Sequence, residues 1–176
     1  NIKEDSIFMF DHKKTFKDIV PENITYASDG FDEIISNLYI YAKGINDKVT
    51  AEQEVDQSLQ TYIIIYSLDS FYSALNADSK KYIDAITTMF ENVKCIHFII
   101  IDLESSMRNY SRDSLVTYFR NDGVIIGTGI NEQVIVNIRK LDHGIRRDTT
   151  LDDYAVYIEN GKGMYFKIVE DVKQME

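Results

Sequence analysis

Three short runs of β-branched and aromatic residues, each leading to an acid, constrain this chain most. Residues 7–10 end at Asp11, residues 62–67 lead to Asp69, and residues 95–101 end at Asp102 with Glu104 close behind. Short apolar runs such as IHFIII read as strands buried on both faces, as in a parallel sheet. Between them lie stretches of helical spacing. Phe31, Ile34, Ile35, Leu38 and Ala42 follow a cap at Ser28 or Asp29, and Gly44 is expected to end that helix. Tyr82, Ile83, Ile86, Met89 and Phe90 follow a cap at Asp78 or Ser79, and Leu115, Val116 and Phe119 follow Ser111 or Asp113.

Residues 23–28 and 124–126 read as further short strands, and the polar residues 46–60 as a loop or exposed helical turn. Alternating strands and helices predict an α/β fold with a mostly parallel sheet flanked by helices. The end differs. Residues 152–171 read as two strands around Asn160-Gly161, a strong hairpin signal. The length, 176 residues, fits one domain over 1–176 with a sizeable core. A start without Met, almost at a strand, is expected of a piece cut from a longer protein.

Charge and cysteine usage narrow the partners. The net charge is 19 − 29 = −10 and the basic residues are scattered, which disfavours a nucleic-acid surface. The single Cys95 forbids an internal disulfide and lies in an apolar run, as a buried structural thiol would. No apolar run approaches the roughly 20 residues that span a bilayer, and no signal peptide is visible.

Ligands of open parallel sheets bind beyond the carboxyl ends of the strands. There Asp11, Asp69 and Asp102 either cap helices or offer carboxylate oxygens to a hard cation such as Mg²⁺. Other chemistries fail on the residues. No Gly-rich loop closes on Gly-Lys-Ser/Thr: Lys14-Thr15 lacks the glycines, and Gly127-Thr128-Gly129 reads as a tight turn. A receiver site would want a lysine within GTGINE, and an integrin-type site a serine where Phe71 stands. His12, His97 and His143 form no nucleophilic triad with a Gly-x-Ser-x-Gly elbow, and Cys/His metal clusters are absent. No catalytic residue and no metal ligand is assigned on these grounds.

The order of the pieces resembles the second half of an FtsK/SpoIIIE-type RecA-like ATPase domain. SIFMFDHKKTFKDI looks like the strand after the P-loop helix, and ITYASDGFDEIISNLYIYAKGIND like the next strand and long helix. TYIIIYSLDSFYSAL occupies the Walker B strand, IHFIIIDLESSMRNY and DGVIIGTGINEQ the following two, and IENGKGMYFKIV the terminal hairpin. Within that family the chain looks like the last, degenerate ATPase domain of the membrane-anchored coupling ATPase of type VIIb secretion.

The resemblance implies a domain at the cytoplasmic face of the bacterial plasma membrane, reaching the membrane only through other parts of its chain. Its partners would be secreted WXG100-type proteins and the other domains of the same ATPase. A P-loop would lie before residue 1. The degenerate Walker B position is Asp69 followed by Ser70, where hydrolysis wants a second acid. Asp11, Asp102 and Glu104 add a strand-end acid cluster. At ~4 Å, like charges cost about 4 kcal/mol at an effective dielectric near 20, which repels nucleotide. Neither Arg112 nor Arg139, Arg146 or Arg147 is placed as a finger. The expected function is therefore substrate recognition without a cofactor, with Phe71 and Tyr72 as the partner-binding patch. The alternatives are an active Mg-ATP hydrolysing domain with Asp69 as magnesium ligand, and a stand-alone metal-dependent phosphotransfer domain using Asp11, Asp69 and Asp102.

Overall fold

A computed structural model describes residues 6–127, 154–159 and 162–167. The chain divides into two compact units, Asn1–Tyr110 and Ser111–Glu176. The first contains β1 (Ser6–Phe10), β2 (Thr25–Ala27), α1 (Phe31–Thr50), β3 (Thr61–Tyr66), α2 (Leu68–Ala74), α3 (Ala77–Thr88), β4 (Ile96–Ile101) and α4 (Glu104–Asn109). The second contains α5 (Ser114–Asp122), β5 (Val124–Gly127), β6 (Tyr154–Glu159) and β7 (Lys162–Lys167).

In the first unit the four strands pair in parallel in the order β2-β1-β3-β4. Side chains alternate across a strand, and the register sorts them into two faces. Phe8 and Phe10 align with Ile63 and Ile65, which align with Phe98 and Ile100. Phe10, Ile63 and Ile65 are fully buried on this face. Phe10 meets Phe31 of α1 at 4.9 Å and Phe71 of α2 at 5.3 Å between ring centroids. α3 lies beside α1, with Tyr39 and Tyr82 stacked at 4.5 Å and Ile83 and Ile86 sealed.

The other face carries Ile7, Met9, Tyr62, Ile64, Tyr66, His97, Ile99 and Ile101. Phe16 sets its ring edge-on against Tyr66 at 4.9 Å. Toward β4 the cover thins: Ile99 and Ile101 are each 44% exposed and Leu103 is 72% exposed. IHFIII is therefore not buried on both faces as its composition implies: Ile99 and Ile101 stay exposed on this one.

Local chemistry explains the other departures. α1 starts after Gly30, whose φ of 66° is a left-handed conformation natural to glycine, and neither Ser28 nor Asp29 caps it. It runs through Gly44 to Thr50, because Ile45 continues the buried stripe. The polar side adds a Lys43–Asp47 ion pair at 2.7 Å and a Thr50 hydroxyl bond to the Asn46 carbonyl at 2.8 Å. Residues 46–50 thus take the helical alternative, as the last turn of α1. The cap of α3 is Asn76, whose Oδ1 accepts from the amides of Asp78 and Ser79 at 2.9 and 2.8 Å. Asp113 caps α5 as expected, accepting from the Leu115 amide at 3.0 Å.

In the second unit β5 does not extend a parallel sheet. It pairs antiparallel with β6, Val124 opposite Glu159, and β6 pairs antiparallel with β7. Glu159 stands opposite Lys162, so two residues, Asn160 and Gly161, separate the strands of the expected hairpin, though both lie outside the described residues.

Candidate functional site at the strand ends

Asp11 closes β1. Its amide donates to the Ala27 carbonyl at 2.9 Å, and its carbonyl accepts from the Lys14 amide at 3.0 Å. Lys14 takes a φ of 59°, which turns the chain back. The carboxylate is fully buried. Its Oδ2 accepts from the Phe16 amide at 2.8 Å and the Tyr26 hydroxyl at 3.0 Å, while Oδ1 has no protein partner among the described residues. Burial first, and the Asp11 bond second, push the Tyr26 hydroxyl up to about 12. Asp11 therefore organises the loop between β1 and β2.

β3 ends at Tyr66, not at an acid. Ser67 follows with its amide still bonded to the Ile101 carbonyl of β4 at 3.0 Å, at φ 61° and ψ 99°. A non-glycine residue in such a sparsely populated region costs about 1–3 kcal/mol and needs surrounding support. Here Ser67 Oγ accepts from Lys13 Nζ at 3.2 Å and donates to Ser70 Oγ at 3.2 Å, and its carbonyl accepts from the Phe71 amide at 2.9 Å. Asp102 reaches across from β4. Its Oδ2 accepts from the Leu68 amide at 2.8 Å and its Oδ1 from the Leu103 amide at 2.7 Å. Asp102, and not Asp69, satisfies the first amide of α2.

Asp69 sits in the first turn of α2, two residues past the strand-end position. It is exposed, and its Oδ1 accepts from the Tyr110 hydroxyl at 2.7 Å. The Walker B reading of Asp69 and Ser70 is thus offset: Ser67 occupies the end of the strand, and Ser70 turns inward, 8% exposed. Asp69 is also not the cap that its place after an apolar run implied.

The expected surface patch is corrected outright. Phe71 is 1% exposed, packed against Phe10 and Phe31, and Tyr72 is 7% exposed, stacked on Tyr110 at 5.0 Å. Both belong to the interior of the first unit. His97 is half-buried, with its Nε2 2.6 Å from Gln60 Oε1 and its ring stacked on Tyr62. Cys95 is buried, its sulfur 3.7 Å from the Tyr41 hydroxyl. Of Glu104 only the backbone, opening α4, is described; His143, Arg139, Arg146, Arg147 and Thr128–Gly129 lie outside the described residues.

The described strand ends do not fit a magnesium ion. Among the described residues no group of three or more His, Cys, Asp or Glu is arranged around a common point. Asp11 and Asp102 spend carboxylate oxygens on protein donors, and Asp69 holds Tyr110. What the site presents instead is an ammonium, Lys13, on the buried Ser67 hydroxyl, which in turn donates to Ser70. Sequence reasoning missed Lys13 and Tyr110, since nothing in the sequence marks the Lys13 contact 54 residues away.

A parallel four-stranded sheet flanked by helices, with an antiparallel hairpin after it, is an α/β fold of the RecA-like type. A solved structure of the cytoplasmic domain of EssC shares that fold with this chain, at a TM-score of 0.62 and 12% identity. The likeness covers 95% of this chain and 34% of that one, so this chain spans about a third of its neighbour's length. No protein-family model matches the sequence, and no curated protein matches it.

Proposed function

We propose that this chain is a type VII secretion ATPase domain that recognises secreted WXG100-type proteins rather than turning over nucleotide, working beside other domains of a membrane-anchored protein on its cytoplasmic side. The fold likeness to EssC supports the context, together with the order of motifs in the sequence. One observation carries the loss of turnover: the strand that would present paired acids ends at Tyr66 and is followed by Ser67, and the neighbouring Asp102 is committed to the Leu68 amide. Hydrolysis needs a free metal-binding carboxylate and a second acid beside it.

With Phe71 and Tyr72 inside, recognition moves to side chains that remain accessible. Ile99 and Ile101 of β4, and Leu103 just past its end, are exposed large apolar side chains, the composition of an interface core rather than of a solvated strand. The test is capture of secreted WXG100-type proteins by the full-length protein, with and without nucleotide. Capture that is independent of nucleotide and weakened at least tenfold by Ile101→Asp supports the reading. Capture that requires ATP at this domain, or that is indifferent to Ile101→Asp, contradicts it.

A further inference from the structure

The segment from Asp102 to Tyr110 lies along α2 as a strap, tied at each end. At its entrance Asp102 Oδ2 holds the Leu68 amide at 2.8 Å. At its exit Tyr110 donates to Asp69 Oδ1 at 2.7 Å and stacks on Tyr72 at 5.0 Å with 23° between the rings. Asp69 and Tyr72 are three residues apart on α2, so they share one face and grip a single tyrosine. The middle of the strap is α4, a six-residue helix. Helices this short are not stable alone, because nucleation costs more than one turn returns. The two ties support it at its ends, and they differ in kind: Asp102 bonds backbone amides, whereas Asp69 is an exposed side chain.

Tyr110 is also the last residue of the first unit, with Ser111 opening the second. We propose that Asp69 and Tyr72 form a latch on Tyr110, a conformational device that holds the exit end of α4 in place and opens without unfolding the sheet. Opening lifts one ring off Tyr72 and frees the exit end of α4, while Asp102 keeps the entrance fixed. This rests on the geometry alone and stands whether or not the domain binds WXG100-type proteins.

Hydrogen exchange on the whole protein tests it, reading residues 104–110 against residues 61–66 of β3. Tyr110→Phe keeps the stacking and loses the bond; Asp69→Ala loses the same bond from the other side. Each is expected to speed exchange in 104–110 about three- to tenfold, the range for one hydrogen bond. Asp69→Asn, which still accepts, is expected to stay within about twofold. Exchange in 61–66 stays unchanged, and trypsin cutting after Arg112 rises with the exchange in 104–110. If Tyr110→Phe and Asp69→Ala leave 104–110 at the wild-type rate, there is no latch. If they speed 61–66 equally, the contact is part of the global fold and the proposal also fails.

Discussion

The two faces of the four-stranded sheet use the same alphabet and end in different states. On one, Phe10, Ile63 and Ile65 vanish beneath Phe31, Phe71 and their helices. On the other, Ile64 is half-buried and Ile99 and Ile101 face outward. Isoleucine does both jobs, so hydrophobicity alone does not tell a core face from a binding face. The difference lies in which residues the helices can reach, and that is a property of topology. One face carries stability. The other, buried at Met9 but open at Ile99 and Ile101, is the one proposed for recognition.

Substitutions can break that contrast or sharpen it. The largest effect is expected at Phe10→Ala, which removes a ring packed against two others and should cost about 3–5 kcal/mol in denaturant unfolding. Ile101→Ala on the open face should cost under about 1 kcal/mol in the same assay while weakening partner capture. Equal losses at both positions would erase the distinction.

Next comes Asp11→Ala, which leaves the Phe16 amide and the Tyr26 hydroxyl without their acceptor, at a cost of about 2 kcal/mol. The same tie has a pH signature. Tyr26 is held near 12 in the folded state against an ordinary value of 10.0, with burial the larger cause. The unfolded chain releases this proton first, so stability is full below pH 10 and falls as pH rises from 10 toward 12. Ultraviolet titration of tyrosinate should show the late step in wild type and part of it shifted downward in Asp11→Ala. The smallest effect is a gain: Gly44→Ala, mid-helix and with open space where the new methyl would sit, should stabilise by about 0.5–1 kcal/mol.

Much of the first unit was legible because its signals are local. The runs around Ile7, Ile63 and Phe98 announce strands, and Phe31, Ile35, Leu38 and Ala42 announce the buried stripe of α1. Gly44 misled because a single exposed glycine costs a helix only about 1 kcal/mol, less than the burial of Ile45 contributes. β5 misled because three apolar residues carry no information about strand direction; only its pairing with β6 sets that. The site was less legible. Asp69 and Asp102 look alike in sequence, each an acid after an apolar run. Two residues of offset at Ser67 and Leu68 separate an acid that grips a tyrosine from one that caps a helix. Phe71 and Tyr72 looked like surface aromatics because they lie just past a strand end; α2, starting directly after Ser67, turns both inward.

The central claim is that the acids at these strand ends hold the fold together and do not hold a magnesium nucleotide. Calorimetric titration of Mg-ATP into the full-length protein, wild type beside Asp69→Ala, tests it most directly. The account predicts superimposable isotherms, with the variant changed only in the exchange of residues 104–110. A micromolar site present in wild type and abolished by Asp69→Ala would contradict it.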